Sequence, residues 1–156
     1  MSFERRMNAA QGYMELGLLN EGLKELDGLS SEEQRNEYAL QLRLLILMRS
    51  HDWSEGLKVS ETLREVNPAL SIGYIHGAFC LHELGETQQA KEMLLAGPES
   101  LKGEATFFYN LGCYEASLGN KEDAGKYVRK SIQMNSEFRD IAQHDPDLAP
   151  IRELLK

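Results

Sequence analysis

Phe108-Tyr109-Asn110-Leu111-Gly112, followed by Gly119 and Ala124, is one turn of a pattern that runs through nearly the whole chain. Gly17, His51, Gly85 and Gly119 are each separated by 34 residues. Five residues after each comes a small side chain or none, at Gly22, Gly56, Ala90 and Ala124, and one residue before them stand Leu16, Ser50, Leu84 and Leu118. The period holds without insertion or deletion. It tiles the chain as 3–36, 37–70, 71–104 and 105–138, with 139–156 left over. Self-similarity at this length is the signature of a repeat architecture, each copy being one supersecondary unit that buries its apolar face against its neighbours.

Each copy reads as a helical hairpin. Proline is absent from Met1 to Asn67 and apolar residues keep a helical period there, while no segment sustains the alternation of a strand. In the first copy a helix over 4–16 is predicted to end at Gly17, since glycine closes a helix in the left-handed conformation without a Cβ penalty. The small residues at 22, 56, 90 and 124 then fall on the second helix of each pair, where they let two axes approach closely. Ala10, Ala78 and Gly112 supply the facing gap on the first helix, and Leu44 breaks that rule in the second copy. Ser30-Ser31-Glu32-Glu33-Gln34 offers capping boxes before the third helix, and Asp52-Trp53-Ser54-Glu55 another before the fourth. Asn120 is expected to cap the eighth helix, and Asn67-Pro68 and Gly97-Pro98 to end the second and third hairpins.

With Phe108, Tyr109, Asn110, Leu111, Gly112, Gly119, Ala124 and Pro68 in phase, the chain resembles the tetratricopeptide repeat (TPR) family over residues 3–138. The resemblance implies an all-α, right-handed superhelix of about four helix-turn-helix repeats closed by a C-terminal cap. Departures are Arg6 and Leu40 at the aromatic position, His51 at the glycine, and Glu115 where tyrosine is usual. In the tail, Asp145 or Asp147 is expected to cap a last helix with Pro146 or Pro150 in its first turn and Leu148, Ile151, Leu154 and Leu155 on one face. The Asp-Pro-Asp-Leu ending is similar to the tails of many bacterial TPR proteins. Two roles for it stay open: closing the stack, or lying in the groove as an internal ligand.

Composition limits the function classes. Residues 1–156 are 42% hydrophobic and 27% charged, as a globular chain is, and 17 Lys and Arg against 25 Asp and Glu leave a net charge of -8. Phosphate backbones and anionic lipid repel such a chain, so neither nucleic acid nor membrane is the expected partner. Two cysteines are too few for a disulfide framework, and Met1-Ser2-Phe3-Glu4-Arg5-Arg6 does not open like a leader, so a cytoplasmic location is the expectation.

In the TPR family the first helix of each pair lines a concave groove. The resemblance carries that role to Tyr38, Gln41, Leu45 and Met48 in the second copy, Ile72, Ile75, His76, Phe79 and His82 in the third, and Tyr109, Asn110 and Cys113 in the fourth. Much of this set is apolar or aromatic, and Asn110 brings an amide that donates and accepts at once. The competing reading places some of these residues in the core between hairpins. The Lys and Asn pair with which one TPR subset grips a terminal carboxylate is missing: those positions hold Met7, Gln11, Leu42, Ile72 and His76. His76, Cys80 and His82 lack a third convergent ligand or an orienting acid, so no metal site, cofactor or catalytic nucleophile is expected. The resulting expectation is a non-enzymatic scaffold that binds a peptide or partner helix in its groove. Its rivals are a secretion-type TPR chaperone holding an apolar client segment, and self-association through the groove or the terminal repeats.

Overall fold

The computed structural model describes all 156 residues and is an all-α helical repeat, with nine α-helices, three 3₁₀ segments and no strand. The helices are α1 (Phe3–Glu15), α2 (Leu19–Asp27), α3 (Glu37–Arg49), α4 (Trp53–Val66), α5 (Ser71–Glu83), α6 (Thr87–Leu95), α7 (Ala105–Ser117), α8 (Lys121–Met134) and α9 (Phe138–His144). Short 3₁₀ segments cover Glu33–Arg35 and Glu99–Gly103, and a longer one, Pro146–Leu155, ends the chain. The chain divides into two compact units, Met1–Cys80 and Leu81–Lys156.

The 34-residue period is written in the backbone. Gly17, His51, Gly85 and Gly119 are the four residues with positive φ, at 77°, 57°, 86° and 87°. Around each, the same pair of hydrogen bonds closes the first helix. The amides of Leu18, Asp52, Glu86 and Asn120 reach back five residues to the carbonyls of Tyr13, Leu47, Leu81 and Glu115 at 2.8–2.9 Å. Those of Gly17, His51, Gly85 and Gly119 bond Met14, Met48, His82 and Ala116 at 3.0–3.1 Å. This two-bond helix ending requires a left-handed residue, which explains three glycines and one histidine, a residue type that tolerates the region better than most. The His51 ring also stacks on Trp53, with centroids 5.1 Å apart.

In the N-terminal unit α1 pairs with α2 and α3 with α4. Gly22 is buried, and a Cβ there would sit 3.2 Å from the Ala10 carbonyl oxygen and 3.1 Å from Ile46 Cδ1. The second hairpin solves the same crossing with opposite partners: Leu44 is fully buried on the first helix, and Gly56 on the second leaves room for it and for Cys80 Sγ. Ala10, Met14, Leu26, Leu29, Ala39, Leu42 and Ile46 form one core, and Leu40, Leu44 and Leu63 another. Arg6, which stands where an aromatic was expected, lays its guanidinium across Gly28 and pairs with Glu25 at 3.2 Å.

In the C-terminal unit α7 pairs with α8, and α6 packs on α7. A Cβ on Gly112 would lie 2.6 Å from Val128 Cγ2 and 3.2 Å from the Ala124 carbonyl oxygen, so α7 and α8 meet at van der Waals distance through that glycine. Glu115, the other departure from the repeat pattern, is buried on α7, where its Oε1 lies 2.9 Å from Lys91 Nζ and accepts from Asn120 Nδ2 at 3.3 Å.

Three local expectations are corrected. The Ser30 capping box forms, with Glu33 N donating to Ser30 Oγ at 3.1 Å and Ser30 N to Glu33 Oε1 at 3.0 Å, but it seats the 3₁₀ turn Glu33–Arg35. The cap of α3 is Asn36, whose Oδ1 accepts from Tyr38 N and Ala39 N. Asn120 stands at the N-cap of α8 but makes no side-chain cap bond; its Nδ2 donates instead to Glu115 Oε1 at 3.3 Å. The tail is α9 followed by a 3₁₀ segment rather than one α-helix: Asp145 caps it by accepting from Asp147 N at 3.0 Å, Pro146 opens it, and Pro150 inside it denies an amide to continued winding.

Candidate functional site

The Asn36 cap fixes the start of α3 and therefore which side chains share a face. Tyr38, Gln41, Leu45 and Met48 recur at three- and four-residue steps and form one stripe. Tyr38 is 64% exposed and Leu45 36%, unusual for a tyrosine and a leucine along one helix face; Gln41 and Met48 are half-buried, and Met48 packs against the Leu40–Leu44–Leu63 cluster. On α5, Ile72, His76 and Phe79 are half-buried. Ile72 leans on the same cluster, and the Phe79 and Trp53 rings meet edge-to-face with centroids 5.5 Å apart. Burial pushes the His76 imidazole below its ordinary 6.5, so its neutral form is favoured.

Three residues expected in an open groove are instead covered. Ile75 is buried on α5, while Tyr109 and Cys113 are buried on α7. What covers the last two is the tail. The Tyr109 ring stacks on Phe138 with centroids 4.7 Å apart, and its hydroxyl donates to Asp145 Oδ2 at 2.6 Å. Cys113 Sγ donates to the same oxygen at 3.7 Å. His82 Nε2 meets Asp147 Oδ2 at 2.9 Å, and its Nδ1 meets Thr87 Oγ1 at 2.9 Å. Asn110, the expected amide contact, is half-buried beside this cluster on α7.

Below the turn, Leu148 and Ile151 are fully buried, and the 3₁₀ segment packs on both α7 and α8. Within the C-terminal unit the tail therefore packs over the fourth hairpin, and its Asp-Pro-Asp turn lies on Tyr109 and Cys113, two of the residues expected in a groove. The residues that sequence reasoning missed are Asp145 and Asp147 as acceptors for Tyr109, Cys113 and His82; the Asp-Pro-Asp-Leu pattern was visible, but nothing in it said which side chains it would meet.

The chemistry of the cluster is that of hydrogen bonding. The donor atoms of Cys113, Asp145 and Asp147 lie within 4.8 Å of one another, a spacing that could surround an ion, yet both carboxylates already accept from protein donors. Burial, and next the Asp145 charge, push the Cys113 thiol well above its usual value. Desolvation followed by the bond to Asp145 does the same to the Tyr109 phenol. A thiol kept protonated in this way is a poor nucleophile.

No family model matches the chain, and no curated protein matches it in sequence. Solved structures do match. MamA (residues 41 to the end) from Desulfovibrio magneticus RS-1 superposes with a TM-score of 0.80 at 16% identity, over 98% of this chain and 88% of its own. A thermophilic TPR protein of Thermus thermophilus gives 0.71 at 18% identity, over 90% and 79%. YrrB, described as a TPR protein with an unusual peptide-binding site, gives 0.72 at 11% identity, over 96% and 82%. With the period, the four left-handed helix ends and these superpositions in agreement, the chain has the tetratricopeptide-repeat fold.

Proposed function

We propose that the chain is a protein-interaction repeat that takes a peptide or a partner helix on the α3 face of its N-terminal unit, with no chemistry of its own. The observation that carries this reading is the exposed Tyr38 and Leu45 on one helix stripe, with the half-buried Gln41 and Met48 between and beside them. Solvent-facing helix positions are normally polar, and an exposed tyrosine offers a large, stiff contact area with a polar tip, the profile of an interface anchor. The fourth-repeat positions carry the same kind of residue, Tyr109, but the protein's own tail is bonded to it. A buried, protonated Cys113 fits a binding role better than a catalytic one. No helix is long and apolar enough to cross a membrane.

Site-specific photo-crosslinking tests the reading. A benzophenone side chain placed at Tyr38 should capture a discrete protein from its native extract, and one placed at Lys24, a well-exposed residue of α2, should not. In the same extract Tyr38→Ala and Leu45→Ser should reduce capture with an unchanged melting temperature, and moderate salt should not release the partner, since apolar contact owes little to screened charge. Equal crosslinking from positions 38 and 24, or full capture by both variants, would remove the α3 face as the site.

A further inference from the structure

Arg49 continues the exposed stripe of α3 by one step and brings a charge to its end. Leu45 and Arg49 follow Tyr38 by seven and eleven residues, close to two and three helical turns, so the three exposed side chains leave the helix within about 20° of one direction and span about 16 Å of axis. Nη1 of the Arg49 guanidinium donates to the Met14 carbonyl oxygen at 3.3 Å, which anchors the group against the end of α1, and it pairs with no carboxylate. In a chain whose net charge is -8, an anchored guanidinium left without an acid is complementary to a carboxylate on whatever covers the stripe.

The pitch of the stripe decides the form of the partner. Side chains on one face of an extended peptide recur every ~6.7 Å, out of step with the ~10 Å between Tyr38 and Leu45, whereas a helix laid along α3 repeats at the same seven- and eleven-residue steps. An extended peptide would also turn backbone amides and carbonyls toward a stripe whose one amide side chain is Gln41, while a helix satisfies its own. Direction follows from charge. A carboxylate is favoured in the first turn of a helix, and Arg49 closes the last turn of α3, so the acid meets it when the two helices run in opposite directions.

We propose that the α3 face takes an amphipathic helix running antiparallel to α3, with an acidic residue of its first turn on Arg49 and apolar residues four and eleven positions later on Leu45 and Tyr38. The inference rests on the reading of the α3 face given above and adds the partner's chemistry and direction. The apolar contacts carry most of the affinity, and the charge sets orientation and selects among partners.

Fluorescence anisotropy of the full chain with three stapled, alanine-based helices tests it. The first carries Glu in its first turn and Leu four and eleven positions later, the second has Lys in place of that Glu, and the third has the first sequence in reverse order. The first should bind saturably, the second about fivefold more weakly because attraction becomes repulsion, and the third about threefold more weakly. In Arg49→Glu the first two should exchange order, and in Arg49→Gln, with an unchanged melting temperature, they should draw level. A nitroxide on the acidic end of the first helix should broaden the amide resonance of Arg49 more than that of Tyr38. An unchanged order in Arg49→Glu, equal binding by the reversed helix, stronger broadening at Tyr38, or no saturation by about 2 mM of any probe overturns the inference. Binding that ignores the charge yet is lost in Leu45→Ser overturns the inference alone and leaves the α3 face as the site, whereas failure of the photo-crosslinking removes the face itself.

Discussion

The Tyr109 hydroxyl and the Asp145 carboxylate, 36 residues apart in sequence, share a 2.6 Å hydrogen bond that ties the tail to α7. Hydrogen bonds to charged acceptors contribute about 1.5 to 3 kcal/mol when one partner is removed and the other stays buried. Asp145→Ala should therefore destabilise the chain by about 2 kcal/mol, and more than Tyr109→Phe does. Urea titrations of both single variants and the double variant check this. The two losses should fall short of additive by at least about 1 kcal/mol, and strict additivity would mean the two groups are not coupled.

Cys113 reports whether the tail stays down. Its thiol is buried beneath Asp145 and held protonated, so iodoacetamide at pH 8 should modify it far more slowly than an unstructured cysteine. Peptide mapping distinguishes it from Cys80, which is also buried. Removing residues 145–156 should accelerate modification of Cys113 by at least about tenfold, because both the cover and the accepting carboxylate go with them. Equal rates in the two proteins would show that something other than the turn shields the thiol.

Alkaline pH should also loosen the structure. Folding raises the proton affinity of Cys113 and Tyr109 above their ordinary 9.0 and 10.0. Above pH 9 the unfolded chain therefore releases protons that the folded chain retains, and stability falls as pH rises. Thermal melts between pH 8 and pH 10.5 should show the decline, with a shallower slope in Tyr109→Phe. A flat profile for the parent protein would contradict the burial of both groups.

His76 gives the opposite sign at the acid end. Its folded value lies below 6.5 because it is desolvated, so as pH falls through 6.5 the unfolded chain takes up a proton that the folded chain resists. The stabilisation is full above that value and is lost on acidification. The melting temperature of the parent should drop between pH 7.5 and pH 5.5 by more than that of His76→Gln, and parallel curves would refute the assignment.

Two glycines separate backbone geometry from helix propensity. Gly12 lies within α1 and Gly119 at a left-handed helix end, and a Cβ at either would meet nothing within 4 Å. Gly12→Ala should stabilise by about 0.5 to 1 kcal/mol, while Gly119→Ala should cost about 1 to 2 kcal/mol from φ alone. Chemical denaturation of the pair checks both signs.

The repeat was legible in the sequence because its cause is local. A left-handed residue every 34 positions leaves glycine at three of four sites, and the small residues that follow are set by the closeness of two helices in the same hairpin. Helix starts were less legible: Ser30 and Asn36 are both good caps, and which of them begins α3 depends on where the intervening chain has room to turn. The stripe of Tyr38, Gln41, Leu45 and Met48 was legible, but which of the expected face residues are open was not. Tyr38 and Tyr109, the second and fifth residues of their copies, were both expected on the same face, and only the fold shows that one is exposed while the other lies under Phe138 and Asp145.

The Lys91–Glu115 pair determines how freely this array could be rearranged. At the position of Lys91 the other copies hold Leu23, Leu57 and Gly125, and at that of Glu115 they hold Tyr13, Leu47 and Leu81. The third and fourth copies are thus keyed to each other by a charge that has no counterpart elsewhere. Duplicating the fourth copy in tandem would set the second Glu115 opposite Gly125, with a buried carboxylate and no ammonium to meet it, a fault that costs several kcal/mol. Growth or shuffling of the array is therefore closed at this junction, and the order of its copies is part of what the sequence encodes.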